Sequence, residues 1–281
     1  MRCAITGAGG YLGRVLSKSF TAQGWDIVCL TRRGGDEKNV QFQLAKTDPE
    51  KIPWQNVDAL VHGAWDFSLT RWEEIHRVNV LGSIALLRAA KNAGVKRVVF
   101  ISTFSAFEGC RSLYGRAKLE IEKEALTLGC AVVRPGLVYG PGATGGTMGQ
   151  LENAAKRGGI VPLLGDGSFA QFPVHEDDLA RLIFLLCQPD APIPREPISA
   201  APAQKITLRE LVETIAKKNN QRVFFVPLPW RILLAGLKTL EALHLPAPFR
   251  SDSLLGIVFQ NPAPKFGLPE SLPLRFRNYE P

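Results

Sequence analysis

Tyr114 and Lys118 stand four positions apart in the segment "RSLYGRAKLEIEK", residues 111–123. On an α-helix, side chains four residues apart share a face, so the phenol and the ammonium would be neighbours. A free tyrosine titrates near ~10, and a neighbouring ammonium lowers that pKa by favouring the phenolate. Such a phenol can exchange a proton with a substrate hydroxyl or carbonyl. The spacing therefore indicates an acid/base pair, provided that the rest of the chain supports it.

The apolar residues around the pair repeat with a helical period, which predicts a helix over 113–128. Before that helix, the strand-like segment "RVVFIST" (97–103) continues into "FSAF". Its end carries three hydroxyl side chains that are candidates to hold a substrate oxygen: Ser102, Thr103 and Ser105. The residues alone do not choose among the three.

A glycine-rich loop, "ITGAGGYLG" (5–13), follows the first strand-like segment and opens a helix. Glycine in such a loop allows a tight turn, a close approach to a pyrophosphate, and close packing of helix on strand. The free N–H groups of the helix start, with the helix dipole, favour the negative charge. The spacing predicts dinucleotide binding, as against a merely structural turn. The residues concerned are Gly7, Gly10, Tyr11, Leu12 and Gly13, with Gly9 as an extra glycine.

The second strand-like segment ends in "CLTRR", so that Thr31, Arg32 and Arg33 stand where an acidic residue would bind the adenosine ribose of NAD. A guanidinium can bind a 2′-phosphate through two hydrogen bonds. The sequence therefore favours NADP over NAD. The alternative is a solvated basic turn, and it applies to Arg33 above all.

Short apolar segments alternate with helical patterns through the first 140 residues, which is typical of a parallel sheet covered by helices on both faces. The predicted fold is α/β, a Rossmann-type doubly wound parallel sheet with a smaller C-terminal substrate lobe. Predicted strands are 2–6, 25–31, 39–44, 58–64, 97–103 and 130–135. Predicted helices run from Leu12 to Gln23 before Gly24, and from about Arg71 to Ala93 before Gly94.

The pattern changes after "RPGLVYGPGATGGTMG" (134–149), where proline and glycine become frequent. We expect residues 1–140 to form the nucleotide-binding domain and residues 141–281 the substrate lobe, with 176–200 packing back onto the first domain. Helices are predicted at 176–187 and from Thr207, where Thr207 and Glu210 form a capping box. Several apolar residues of this lobe are candidates to line a partly hydrophobic pocket. The alternative is that they belong to the core of the lobe or to a dimer surface. They are Phe224, Phe225, Trp230, Leu233, Leu234 and Phe249.

Composition narrows the class of protein. The 281 residues carry a formal charge of +8, but basic residues occur in pairs without a stripe, which argues against nucleic acid as a partner. No run of 18 apolar residues predicts a membrane span, and no signal peptide is evident. Five scattered cysteines and four dispersed histidines suggest reduced thiols, no metal site, and a cytoplasmic protein.

These segments together resemble the short-chain dehydrogenase/reductase superfamily, in its extended or atypical branch of NAD(P)-dependent epimerase/dehydratase-like proteins. The likeness covers about residues 1–190 and includes "TGAGGYLG", "DALVHGA", "NVLGSIALLRAAKNAGVKRVVFIST", "YGRAK", "RPGLVYGPG" and "FPVHEDDLA". It implies Tyr114 as the acid/base, Lys118 as the residue that lowers its pKa and binds the nicotinamide ribose, and Thr103 as the partner of the substrate oxygen.

The resemblance also implies the remaining residues around the cofactor, and it leaves Asn79 as either an active-site residue or a polar residue packed between helices. It implies cofactor contacts for His62, Gly63 and Ala64 after the fourth strand, and for Pro135, Gly136, Leu137 and Val138 at the nicotinamide end. Small molecules would be the substrates, and a homodimer is common in the family.

Two departures from the family pattern bear on the substrate. The connection from Thr103 to Tyr114 is shorter than in extended members, and no Arg-x-Phe-Asn segment of the nucleotide-sugar epimerases follows the sixth strand. Both weaken a sugar-nucleotide assignment without affecting hydride chemistry. Reduction, epimerisation and dehydration stay open. The competing hypothesis is a non-catalytic NADP-sensing regulatory or scaffold protein, against which the intact Tyr114 and Lys118 argue.

Overall fold

The computed structural model describes residues 1–141, 143, 146–243, 245, 249–268 and 272–280. Its strands are β1 (Arg2–Thr6), β2 (Asp26–Thr31), β3 (Asn39–Gln41), β4 (Ala59–His62), β5 (Arg97–Ile101), β6 (Ala131–Pro135), β7 (Leu137–Tyr139), β8 (Gly159–Leu164), β9 (Ala170–Gln171), β10 (Pro173–His175), β11 (Ile198–Ala200), β12 (Ile206–Thr207) and β13 (Val223–Leu228). Its helices are α1 (Tyr11–Ala22), α2 (Trp72–Ile75), α3 (Leu81–Asn92), α4 (Leu113–Thr127), α5 (Gly146–Arg157), α6 (Glu176–Leu186), α7 (Leu208–Lys218), α8 (Trp230–Ala242) and α9 (Ser251–Val258).

Seven strands form one parallel sheet in the order β11-β6-β5-β4-β1-β2-β3. This confirms the predicted doubly wound α/β fold. The strand predicted over 39–44 is shorter, because its pairing with β2 begins at Asn39 and ends at Gln41. β11 was not predicted as a strand, since three residues bounded by prolines carry no periodic signal. It adds an edge to the sheet beside β6.

The two faces of the sheet carry separate hydrophobic cores because successive strand residues point to opposite sides. Cys3 and Ile5 face one core, which includes Leu16 of α1 and Leu179 of α6. Ala4 faces the other core, which α3 and α4 cover from the opposite side. The strands are apolar on both faces because each face packs against a core. The sheet, buried on both sides, is a rigid base for the loops at its carboxyl edge.

The strand register brings several of the predicted site segments to one edge. Thr6 of β1 lies beside His62 of β4, His62 lies beside Phe100 of β5, and Ile101 lies beside Val133 of β6. The glycine loop, the residues after His62, the hydroxyls after Ile101 and the Pro135 segment therefore leave the sheet side by side. Ligands of doubly wound sheets bind at this edge.

The helix predicted over 71–93 is α2 and α3 joined by a π turn, His76–Val80, which the sequence did not indicate. The predicted capping box is confirmed: the Glu210 N–H donates to Thr207 Oγ1 at 3.1 Å, and the Thr207 N–H donates to Glu210 Oε2 at 2.8 Å. A second lobe is built around β8 and β13, which pair in parallel, and α5, α7, α8 and α9.

All five cysteines lie within the described ranges and are free thiols. None of the described helices is long and apolar enough to cross a membrane. In the same part of the chain, no three His, Cys, Asp or Glu side chains gather in a way that would hold a metal ion.

Candidate active site

The predicted helix containing Tyr114 and Lys118 is α4, which begins after Ser112, whose Oγ accepts the Gly115 N–H at 3.0 Å. Lys118 is buried, with only 2% of its surface exposed. Its Nζ donates to the carbonyl of Ile101 at 2.7 Å, which ties the helix to the end of β5. The same ammonium lies 4.6 Å from the ring centre of Trp65 and 4.7 Å from that of Phe100.

Aromatic side chains surround the phenol ring of Tyr114. Trp65 contacts it edge-on with ring centres 5.0 Å apart, and Phe67 lies 5.9 Å away. The Lys118 Nζ is 5.8 Å from the Tyr114 ring centre. The sequence-based analysis missed Trp65 and Phe67, although their position directly after a buried strand that ends in "VHGA" was a usable signal.

The electrostatics of the pair differ from the prediction. The ammonium was expected to lower the pKa of Tyr114, but burial of the phenol raises the pKa of Tyr114 above its ordinary value. Burial also lowers the pKa of Lys118 to about 7, an effect that the carboxylate of Glu122 partly opposes. The physical reason is that each group loses water around its charged form, which favours neutral phenol and neutral amine. Tyr114 therefore holds its proton at neutral pH and is placed to donate it.

A cavity of about 770 Å³ opens at this edge of the sheet, with Thr103, Ser105, Tyr114, Pro135 and Gly136 in its lining. Leu137 also lines it. Thr103 and Ser105 thus share the cavity with the phenol. The Ser105 N–H donates to Thr103 Oγ1 at 3.2 Å, which leaves the Thr103 hydroxyl proton free for a ligand.

Ser102, the third candidate hydroxyl, lies elsewhere. It is 3% exposed, is absent from the cavity lining, and its Oγ has no hydrogen-bond partner among the described residues. Gly115, which the sequence-based analysis did not single out, explains how the helix approaches the hydroxyls. A Cβ on Gly115 would lie 2.2 Å from the Ser105 carbonyl oxygen, so only glycine allows α4 to pack this closely against the loop that follows β5.

The glycine loop has the geometry of a dinucleotide cradle. Gly7 has a φ of +70°, and its N–H donates to the Leu30 carbonyl at 3.2 Å. A Cβ on Gly13 would lie 2.2 Å from the Gly7 carbonyl oxygen, so the start of α1 can reach the strand only with glycine there. The first helical bond is donated by the Arg14 N–H to Gly10. The N–H groups of Tyr11 and Leu12 therefore precede the intrahelical bonds and point toward the edge where a pyrophosphate would bind.

Some predicted cofactor residues have side chains occupied elsewhere. The Tyr11 hydroxyl donates to the carboxylate of Glu176 at the start of α6. Leu12 and Val138 pack against the hydrophobic core on one face of the sheet. Any contact that these three make to a cofactor would therefore come mainly from their backbone.

The hydroxyl of Thr6 joins the ends of β1 and β4. Its Oγ1 accepts the N–H groups of Gly63 and Ala64 at 3.0 and 3.1 Å, and it lies 2.7 Å from His62 Nδ1. Because an oxygen accepting two bonds has one proton left to give, Thr6 donates to His62 Nδ1, and His62 carries its proton on Nε2. Burial, with a smaller contribution from the charge of Lys118, lowers the pKa of His62 to about 3. His62 is thus neutral and buried, and its hydrogen bond with Thr6 links the ends of β1 and β4.

Arg32 and Arg33 are exposed in the turn after β2. The Thr31 hydroxyl donates to the Arg33 carbonyl at 2.6 Å, which shapes that turn. Neither guanidinium forms an ion pair or hydrogen bond with another described residue, so both are free for a ligand. Because Leu30 pairs with Thr6, this turn stands beside the glycine loop.

Asn79 is buried in the π turn and acts on the loop that carries Trp65. Its Oδ1 accepts the Asp66 N–H at 2.8 Å, and its Nδ2 donates to the Asp66 carbonyl at 3.1 Å. The amide therefore fixes the aromatic wall of the site. This differs from both alternatives considered for Asn79, since the residue neither lines the cavity nor only fills a gap between helices.

The second lobe contributes two sets of hydrogen bonds to the site that no sequence pattern predicts. The Asp252 carboxylate on α9 accepts the N–H groups of Leu113 at 2.6 Å and Tyr114 at 3.0 Å. Arg250 donates to the carbonyls of Phe67 and Leu69 at 2.9 and 2.7 Å. One segment thus holds both the start of the tyrosine helix and the loop beside it.

The chain is similar in sequence to proteins of a known family. The sequence profile of the NAD dependent epimerase/dehydratase family matches residues 3–201. The ceramide reductase of Caulobacter vibrioides is 30% identical over 195 residues, which are 66% of this chain and 60% of that protein. The 2-alkyl-3-oxoalkanoate reductase of Stenotrophomonas maltophilia is 26% identical over 226 residues, covering 68% of this chain and 67% of that protein.

The fold is shared with solved epimerase-like structures. A structure of MoeE5 in complex with UDP-glucose and NAD superposes with a TM-score of 0.70 at 24% identity, covering 82% of this chain and 85% of the other. The family match spans the sheet, the glycine loop and α4, and so confirms the resemblance found in the sequence. The chain belongs to the NAD dependent epimerase/dehydratase family of short-chain dehydrogenase/reductase proteins, and it is an NAD(P)-dependent oxidoreductase or epimerase.

Proposed function

We propose that this chain is an NADP-dependent ketoreductase that converts a substrate carbonyl to a hydroxyl, with Tyr114 as the proton donor. The observation that carries the proposal is the position of a protonated, half-buried Tyr114 in the wall of a 770 Å³ cavity at the carboxyl edge of the sheet. We also infer that residues 1–140, with 176–200, hold the dinucleotide and that 141–281 select the substrate.

The residues divide the work as follows. Thr103 donates its free hydroxyl proton to the substrate oxygen and orients the carbonyl beside the Tyr114 phenol. When bound, the nicotinamide supplies the hydride to the carbonyl carbon. Tyr114 gives its proton to the developing alkoxide, and the charged form of Lys118, which a pKa of about 7 leaves only partly populated at neutral pH, favours the phenolate that this leaves. Trp65 covers one side of the phenol ring, whereas Phe67 beside it is itself 61% exposed.

The charge of the cavity favours a substrate without a diphosphate. Arg250 is the one cation in its described lining; its two terminal nitrogens donate to backbone carbonyls, and its Nε is buried without a hydrogen-bond partner among the described residues. Both anions of the lining are also occupied, since Asp252 caps α4 and Glu241 accepts from Ser251 at 2.8 and 2.7 Å. A diphosphate would need free cationic donors here. Two relatives named above are reductases, of ceramide and of a 2-alkyl-3-oxoalkanoate, which supports reduction of an uncharged keto group.

The test of this function begins with the cofactor. We expect the protein to oxidise NADPH in the presence of a simple ketone ester and to bind NADPH at least about tenfold more tightly than NADH, because a guanidinium–phosphate pair is a strong, charge-assisted contact. Arg32→Ser should remove that preference, and Arg33→Ser serves as the matched control with a smaller effect. Calorimetric titration with both nucleotides measures the preference. Release of tightly held NAD on denaturation would contradict the proposal and favour an epimerase.

Asp252 is proposed as a positioning residue for Tyr114. Asp252→Asn keeps the shape but removes the charge and one acceptor from the helix start, so kcat should fall about tenfold while KM for NADPH stays unchanged. The free energy of unfolding should fall by about 1 kcal/mol. Asp252→Glu should restore part of kcat, and Asp177→Asn, in the exposed first turn of α6, is the control. A parallel rise in KM for NADPH would show a general disturbance instead.

A further inference from the structure

A second cavity adjoins the one that Tyr114 lines. Its volume is about 930 Å³, and it lies in the second lobe among α5, β8, α7, α8 and α9. The residues that line both cavities stand on facing sides of α5 and α9 or just before α9: Thr147, Gln150, Phe249, Ser253 and Ile257. The two cavities therefore meet at these five residues.

The lining of this second cavity, the apolar chamber, is mainly apolar. Most of it is aliphatic, and it includes Leu151, Ala154, Val161, Leu163, Val212 and Leu233. Its charged members, Lys156 and Arg157, are exposed in the last turn of α5, and Lys156 pairs with Glu152 at 2.8 Å. The two cavities thus differ in kind, since hydroxyl, amide and aromatic groups line the first.

We infer that the apolar chamber binds the alkyl chain of a substrate whose keto group is held beside Tyr114. This inference rests on the proposed function and extends it to a substrate class, long-chain keto compounds. Protein interiors are close-packed and keep few voids larger than a water molecule, so a space of this size lined by aliphatic side chains is a ligand site rather than loose packing. Burying a chain there removes apolar surface from water on both partners.

The geometry also sets the direction in which the substrate lies. The reacting carbonyl must be near Thr103 and Tyr114, and the residues that line both cavities, Gln150 and Phe249 among them, mark where the inferred alkyl chain would cross into the chamber. The chain must therefore leave the carbonyl toward α5 and α9. Chain length beyond this crossing should add affinity, because each buried methylene gives about a fourfold gain.

The experiment uses 3-oxoalkanoate methyl esters lengthened one methylene at a time and kept below the concentration at which they aggregate. For the wild-type protein with NADPH, kcat/KM should rise about fourfold per methylene until the chamber is filled. Calorimetric binding of the same esters to the protein saturated with NADP⁺ gives a second readout that needs no turnover.

Two variants change the chamber in opposite directions. Ala154→Phe places a ring in the chamber and should abolish the dependence on chain length while leaving reduction of the shortest ester unchanged. Leu233→Ala enlarges the chamber and should extend the gain to longer chains. Ala235→Phe, the same substitution at an exposed position of α8 outside the lining, is the matched control.

The outcomes separate this inference from the proposed function. If the shortest esters are reduced but kcat/KM does not rise for longer ones, the inference that the chamber binds an alkyl chain is wrong, while the proposed ketoreductase function stands. If no ester is reduced, the proposed ketoreductase function is wrong. The calorimetric binding data then test by themselves whether the chamber binds an alkyl chain. Length-dependent binding that Ala154→Phe removes would support it, whereas binding that is absent or indifferent to the variant would overturn it.

Discussion

Replacing Tyr114 by phenylalanine should reduce kcat for ketone reduction by about a thousandfold, because positioned acid/base groups typically contribute factors of this order. The ring would remain between Trp65 and Phe67, so the free energy of unfolding and the affinity for NADPH should change little. Steady-state oxidation of NADPH and nucleotide titration measure the two effects separately.

Tyr139→Phe is the matched control for this substitution. Tyr139 is also largely buried, but it lies in β7 and does not line the cavity near Tyr114. Its removal should leave kcat intact. A Tyr114→Phe protein that keeps more than a tenth of the wild-type rate would exclude Tyr114 as the proton donor. A protein whose role is to sense NADP would keep its function with phenylalanine at this position.

Lys118→Met should change activity and stability in opposite directions. Burial lowers the pKa of the Lys118 ammonium from 10.5 to about 7, so the folded, ligand-free protein loses this proton at a lower pH than the unfolded chain does. Below about pH 7 Lys118 is charged in the folded protein, and burial of that charge lowers the free energy of unfolding. Between about 7 and 10.5 the unfolded state binds the extra proton, so wild-type stability rises with pH in that window.

The methionine variant lacks this titration. It should be more stable than wild type by a few kcal/mol at acidic pH, an advantage that shrinks as pH rises from about 7 to 10.5, since the lowered pKa corresponds to roughly 5 kcal/mol at most. Its kcat should fall by at least about a hundredfold. Urea unfolding of the ligand-free proteins across this pH range measures the difference.

Lys96→Met, at an exposed position before β5, is the control for the loss of a lysine. Its stability relative to wild type should not follow the same pH window. If the stability gap between Lys118→Met and wild type were constant with pH, the lowered pKa of Lys118 would be wrong, and the ammonium would be solvated by water that reaches it.

The sheet and its edge were predictable because they depend on local patterns. Apolar strands, the glycine spacing and the period of α4 each lie within about fifteen residues, and together they specify the doubly wound fold. The residues alone left Ser102, Thr103 and Ser105 open as partners of Tyr114, and the choice of Thr103 came from the family resemblance; the structure places Thr103 and Ser105 in the same cavity lining as Tyr114. Gly115 was overlooked because its requirement arises from a carbonyl of another segment, at Ser105.

The electrostatics and the second lobe were beyond the sequence for a different reason. The pKa of Tyr114 depends on how far the surrounding residues bury the phenol, and spacing within α4 carries no information about that. The contacts of Asp252 and Arg250 join residues more than a hundred positions apart. The chamber is lined by six separate elements, and no sequence motif indicates that they enclose a common space.

The contact between Asp252 and the start of α4 has a consequence for the order in which the site is completed during synthesis. The carboxylate that holds the Leu113 and Tyr114 N–H groups is made 139 residues after Leu113. Chains fold as they leave the ribosome, so the seven strands of the sheet and α4, all made before this carboxylate, can begin to fold without it, while Leu272 completes one core of the sheet only later. On the proposed function, the nascent chain would therefore have its glycine loop before Tyr114 is held in place.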